Sequence, residues 1–253
     1  MADVSFADAA VLAFILIPLL LVVALAWGVL VAWRATGRSP AGARRAAATA
    51  IVAAAAWMFV TWRAAASGVL RNWDATPPPF ALLVLAIVLV ATAIALSPIG
   101  RTLAGGLPLW ILIGFQGFRL PLELAMHTMY ERGVMPIQMS YSGRNFDVIT
   151  GITALIVSLL LASGRGGRLL AAAWNVLGFA LLINVVVVAV LSTPRFRYFG
   201  DDHLNIWVTY PPFVWLPAVM VLAALAGHLV IFRALASSTT QPIDSAARNI
   251  SAP

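Results

Sequence analysis

The sequence contains no cysteine and no lysine. Without cysteine there is no disulfide, no thiolate nucleophile, no thioether-linked haem and no thiolate-held iron–sulfur cluster. Without lysine there is no retinal or pyridoxal Schiff base. Charge is scarce as well. The 253 residues carry 16 basic side chains, all arginine, and 9 acidic ones, so that 10% are charged, where a soluble domain has about 25%. Apolar residues dominate instead: 62% are hydrophobic and the mean hydropathy is +0.96. These proportions exclude a soluble globule, a disordered chain and a disulfide scaffold. They leave a polytopic helical membrane protein.

A helix needs roughly 20 apolar residues to cross a bilayer. Seven stretches are candidates, at about 9–33, 46–67, 80–98, 107–131, 148–163, 169–192 and 212–234, the fifth being the shortest. The expected fold is therefore all-α, a polytopic membrane bundle of seven transmembrane helices. It forms a single domain over 1–234, followed by a Ser/Thr/Ala-rich, disordered cytoplasmic tail over 235–253. The first stretch is too long for a cleaved signal peptide, and its flank carries Asp3 and Asp8. This places the N-terminus outside and the C-terminus inside. Inner segments then hold nine arginines and one acid, Asp244, whereas outer segments hold five arginines and seven acids. Arginine is thus concentrated inside, as the topology rule requires. The isoelectric point near 11.2 reports topology and contact with anionic lipid, and nucleic acid is not an expected partner.

Ionisable groups inside a span are costly and mark function or helix pairing. The second span carries Arg63 near its outer end, and the fourth carries Gln116, Arg119, Glu123, His127 and Glu131. The last four recur every four residues. Each such step advances about 6 Å and drifts about 40° around a helix, so they form one slowly spiralling stripe from mid-membrane to the outer surface. Pro121 removes one backbone hydrogen bond and is expected to kink the helix beside Arg119. The following loop brings Arg144, Asn145 and Asp147 to the start of the fifth span, where Asn145 or Asp147 can cap the helix. Two readings of the stripe remain open. In one, Arg119 and Glu123 pair with each other or with Arg63 and hold the bundle together. In the other, Arg63, Gln116, Arg119, Glu123, His127, Glu131, Arg144, Asn145 and Asp147 line a polar cavity open to the outside, which takes a small anionic or protonatable solute.

Metal and cofactor sites find little support, and neither is expected. Met126, Met129, Met135 and Met139 surround His127, a set that suits Cu(I), but methionine also fills apolar gaps. His228 lies 15 residues from Phe213, about 22 Å along a helix, which places it deep on the inner side and unable to share an iron with His127. Asp201, Asp202 and His203 read as a solvated turn in an aromatic outer loop, 193–211, that lies on the membrane or folds back as a lid. No hydrolase, metalloprotease or nucleotide-binding motif is present, so no catalytic residue is assigned.

Three segments, RLPLE in the fourth span, SGRNFDVITGITA before and within the fifth, and PPFVWLPAVM with GHLV in the seventh, carry a resemblance. Over roughly 107–234 the chain resembles a group of uncharacterised bacterial polytopic integral membrane proteins. The resemblance implies a multi-pass protein of the bacterial inner membrane. It draws attention to Arg119, Glu123, Arg144, Asn145, Asp147, Asn205, Pro217 and His228, and it implies no substrate. The expected function is small-solute, ion or proton binding or translocation through a cavity open to the periplasmic side. The alternatives are a non-catalytic scaffold or subunit with a membrane-protein partner, and, third, an intramembrane enzyme.

Overall fold

The computed structural model describes residues 8–237. Asp3, Asp244, Arg248 and nearly all of the expected tail lie outside them. The described chain is helical, with no strand among the described residues. Its long helices are α1 (Ala9–Ala35), α2 (Pro40–Ala66), α3 (Pro79–Leu96), α7 (Asp147–Ala162), α8 (Arg168–Leu191) and α9 (Leu222–Ala236). Between α3 and α7 lie three shorter ones, α4 (Pro98–Gly106), α5 (Leu109–Gly114) and α6 (Arg119–Glu131).

Helix starts follow local chemistry. Asp8 accepts from the Ala10 amide at 2.9 Å, and Ser39 and Ser97 cap α2 and α4 ahead of a proline in the first turn. The Ser39–Pro40 start carries α2 several residues upstream of the expected span, so that Arg44 and Arg45 are helical.

Six segments among the described residues are long and apolar enough to cross a membrane: α1, α2, α3, Leu109–Glu131, α8 and Leu216–Ala236. Their outward faces are apolar. On α1, Leu16, Leu20, Val23 and Trp27 are all exposed at helical spacing, and Leu85 and Leu89 on α3 and Val176 and Val187 on α8 are exposed likewise. A surface of this kind is stable only against hydrocarbon, which makes this a multi-pass membrane protein. The seventh expected span, α7, has 16 residues, about 24 Å of rise against a hydrocarbon core of about 30 Å.

Arginine marks one end of the bundle. The α1–α2 turn, α4, the α7–α8 turn and the end of α9 meet there. Arg233 on α9 donates to the Ala95 carbonyl at the end of α3 (2.7 Å), and Arg168 on α8 donates to the Leu235 carbonyl. The opposite end is closed by two folded-back segments. Residues 132–146 descend along α6 after an ion pair between Arg132 and Asp8. Residues 192–215 bury Trp207 and Phe213, which pack edge-on against Phe14 of α1. The aromatic segment, expected to lie outside, therefore folds back over this end of the bundle.

Candidate functional site

The fourth expected span is one run of helix in three pieces. A 3-10 turn, Phe115–Phe118, joins α5 to α6. This turn places Pro121 in the first turn of α6, where a missing N–H leaves no intrahelical bond unmade. The irregularity thus falls just before Arg119.

Segment 132–146 then runs back toward mid-membrane. Its depth is read from its contacts. Ser140 meets His127, Asn145 meets Glu123 and Asp147 meets Arg119, so each step along the returning chain lies deeper on α6. Consequently α7 begins near the level of Arg119, not at the surface. It continues antiparallel to the incoming helix, and Ser158 donates to the Trp110 carbonyl at 2.7 Å. Gly151 allows the close approach, since a Cβ there would touch the Leu120 backbone. Non-helical backbone at this depth is tolerated only where protein satisfies it. Asn145 does so: its amide nitrogen donates to the Met139 carbonyl (3.0 Å) and its oxygen accepts from the Asp147 N–H (3.0 Å).

At the centre is Arg119, 1% exposed. Its Nε donates to Asp147 Oδ2 at 2.6 Å and its Nη2 donates to Oδ1 of the same carboxylate, a two-pronged pair. Its Nη1 donates to His228 Nε2 at 3.0 Å. The remaining His228 nitrogen, Nδ1, then carries the proton and donates to Asn175 Oδ1 at 2.8 Å, while Asn175 Nδ2 donates to the His228 carbonyl at 3.2 Å. Trp174 stacks on the imidazole. Thr150 reaches Asp147 at 3.4 Å. One turn from Arg119, Glu123 is 2% exposed, and both of its oxygens meet Asn145 Nδ2, at 2.9 and 2.8 Å. No cation is bonded to the Glu123 carboxyl among the described residues. Gln116, a turn below, donates to the Ala224 carbonyl (3.1 Å) and leaves its own oxygen without a partner.

Toward the surface the stripe opens. His127 Nδ1 lies 2.8 Å from Ser140 Oγ, its Nε2 lies 3.5 Å from Glu131, and its ring stacks on Tyr141. Glu131 is exposed.

Comparison with known protein families, curated proteins and solved structures finds no match. The site therefore rests on its own geometry.

The fold gathers Arg119, Glu123, Asn145 and Asp147 into one cluster, places Gln116 below it, and sets His127 and Glu131 above. It does not bring in Arg63, which lies exposed on α2 with no carboxylate facing it among the described residues, because α2 packs on α1 and away from α6. Arg144 is also outside: its guanidinium lies over the Phe199 ring, 5.4 Å from the centroid, and meets no carboxylate among the described residues. The four methionines near His127 are buried in the apolar core. Asp201, Asp202 and His203 form an exposed 3-10 turn.

His228 is the chief correction. Counting rise from Phe213 placed it apart from the stripe, yet it touches Arg119. The chain from Pro211 does not rise as a regular helix: it turns and then runs through a π-helix, Leu216–Val221, before α9 begins. Asn175, Thr150 and Ser140 were not singled out in the sequence. For Asn175 a signal existed, namely an amide in an apolar span with Gly178 one turn on, where a Cβ would stand 2.8 Å from the His228 ring.

Proposed function

We propose that this is a seven-span protein of a bacterial inner membrane, N-terminus outside, that binds or passes protons or a small protonatable solute through the Arg119–Glu123 cluster. One observation carries the reading. Glu123, buried and bonded only to the Asn145 amide among the described residues, lies within a series of polar groups that starts at exposed Glu131. From Glu131 the side chains run to His127 and Ser140, and the Ser140 carbonyl accepts from the Asn145 backbone N–H at 3.3 Å. The Asn145 side chain bonds Glu123 and accepts from the Asp147 N–H, beside which Asp147, Arg119, His228 and Asn175 form a second bonded group. Intramembrane carboxyl and imidazole groups in series are the usual parts of a proton relay. The bacterial membrane and the seventh span, α7, rest further on the resemblance at RLPLE and SGRNFDVITGITA.

A second reading is favoured by the closed Arg119–Asp147 pair. Here the cluster only locks segment 132–146 and α7 into place, and the protein is a scaffold for a membrane partner. Infrared difference spectroscopy of the protein in vesicles separates the two. The relay predicts a carboxyl band that changes reversibly with external pH, is lost in Glu123→Gln and survives Glu131→Gln. A spectrum with no pH-dependent band assignable to Glu123 leaves the scaffold.

A further inference from the structure

Away from the polar cluster, α1, α2, α5, α9 and the α3–α4 turn line a half-open cavity of about 610 Å³. Its walls include Ala53, Trp57, Leu103, Ala226 and Val230, with Ser97 at the arginine-rich end. An apolar space of this kind excludes water, and left empty it forfeits the dispersion contacts of its lining. In a bilayer the available filler is hydrocarbon.

One feature beside the Ser97 end of the cavity selects among hydrocarbon ligands. On α9 the lining residues Ala223, Ala226 and Val230 share a face, and Arg233 is the next residue on it. Its Nη1 donates to the carbonyls of Ala95 (2.7 Å) and Ser97 (3.3 Å), which holds the guanidinium beside the cavity wall. Arg233 is partly buried, and no carboxylate pairs with it among the described residues. Its Nε and Nη2 make no hydrogen bond among the described residues. A half-buried guanidinium with free donors fits a phosphate oxygen.

We propose that the cavity holds an acyl chain of an anionic phospholipid, with Arg233, bonded to the carbonyl of the lining residue Ser97, taking the phosphate. The exposed arginines of the same end, such as Arg101, add a favourable field for such a headgroup. The cavity shares no lining residue with the Arg119 cluster, so this inference and the proposed function stand or fall separately.

Native mass spectrometry of the full chain, released from detergent containing phosphatidylglycerol or phosphatidylcholine of identical chains, tests it. Phosphatidylglycerol is expected to be retained about fivefold better, the weight of one arginine near an anionic surface. Arg233→Gln is expected to bring the two lipids to parity. Ala53→Trp, which fills the cavity from the exposed side of α2, is expected to lower retention of both. Equal retention of the two lipids by the native protein, or unchanged retention in Ala53→Trp, overturns the proposal. The second variant leaves Arg233 and its cap of α3 intact, so a folding defect in the first does not blur the result.

Discussion

Replacing Arg119 with methionine removes the only cation bonded to the buried Asp147 carboxylate among the described residues. An uncompensated charge in such a setting costs about 3–5 kcal/mol, whereas removing both partners is often close to neutral. Arg119→Met is therefore expected to lower the thermal midpoint in detergent sharply, and Arg119→Met combined with Asp147→Leu to recover most of the loss. Tryptophan fluorescence during heating measures both. If the double variant is as unstable as the single one, the pair is not what the residue supplies. The four-residue spacing of Arg119, Glu123, His127 and Glu131 was legible in the sequence because it is a property of one helix. Asp147 was expected in the same cavity but not as the partner of Arg119, and Asn175 and His228 were not expected there, because all three come from other elements. A 3.6-residue period says which way a side chain faces, and nothing about what stands opposite.

At the scale of elements, α8 and α9 meet around His228, and Gly178 makes room for the imidazole. A methyl group at 178 would lie 2.8 Å from His228 Cε1 and 2.9 Å from Thr150 Cγ2. Overpacking of this size costs about 1–3 kcal/mol, so Gly178→Ala is expected to lower the unfolding midpoint in the same assay, and an unchanged midpoint would mean that α8 shifts freely. The returning segment makes a different prediction. Met139 is 2% exposed, and its carbonyl is tied by Asn145. Since the chain has no native cysteine, Met139→Cys can be probed with an impermeant thiol reagent. It is expected to stay unlabelled alone and to become labelled when combined with Asn145→Ala, which frees both Glu123 and the 139 carbonyl. Equal labelling in the two backgrounds would show that Asn145 does not hold the segment. Hydropathy located α7 well, but 132–146 looked like an ordinary outer loop. Its descent is caused by the side-chain bonds of Ser140 and Asn145, and composition averages do not register single hydrogen bonds.

For the whole molecule the question is whether α7 crosses. Its 16 residues are short for a span, but it starts near the level of Arg119, so about 24 Å suffices to reach the far end. The contacts there argue that it does. Arg168, just after α7, bonds the last turn of α9, and Arg233 on α9 bonds the last turn of α3. The end of α7 therefore shares a face of the bundle with the ends of α3 and α9. If α3 ends inside, as the arginine bias requires, so does α7. Single cysteines at exposed positions decide it in intact cells. Asn72→Cys, after α2, and Ser142→Cys, before α7, are expected to react with an impermeant reagent, while Thr36→Cys and Ser163→Cys react only after the membrane is opened. Labelling of Ser163→Cys from outside, with Thr36→Cys protected, would make α7 re-entrant and put the ends of α3 and α9 on opposite sides, against the bonds that join them. The arginines at 165, 168 and 233 would then face the outer surface, against the same rule that orients α1. The cluster's outer approach through His127 depends on this result, because Ser142 and Glu131 must share the outer side for the relay to open there.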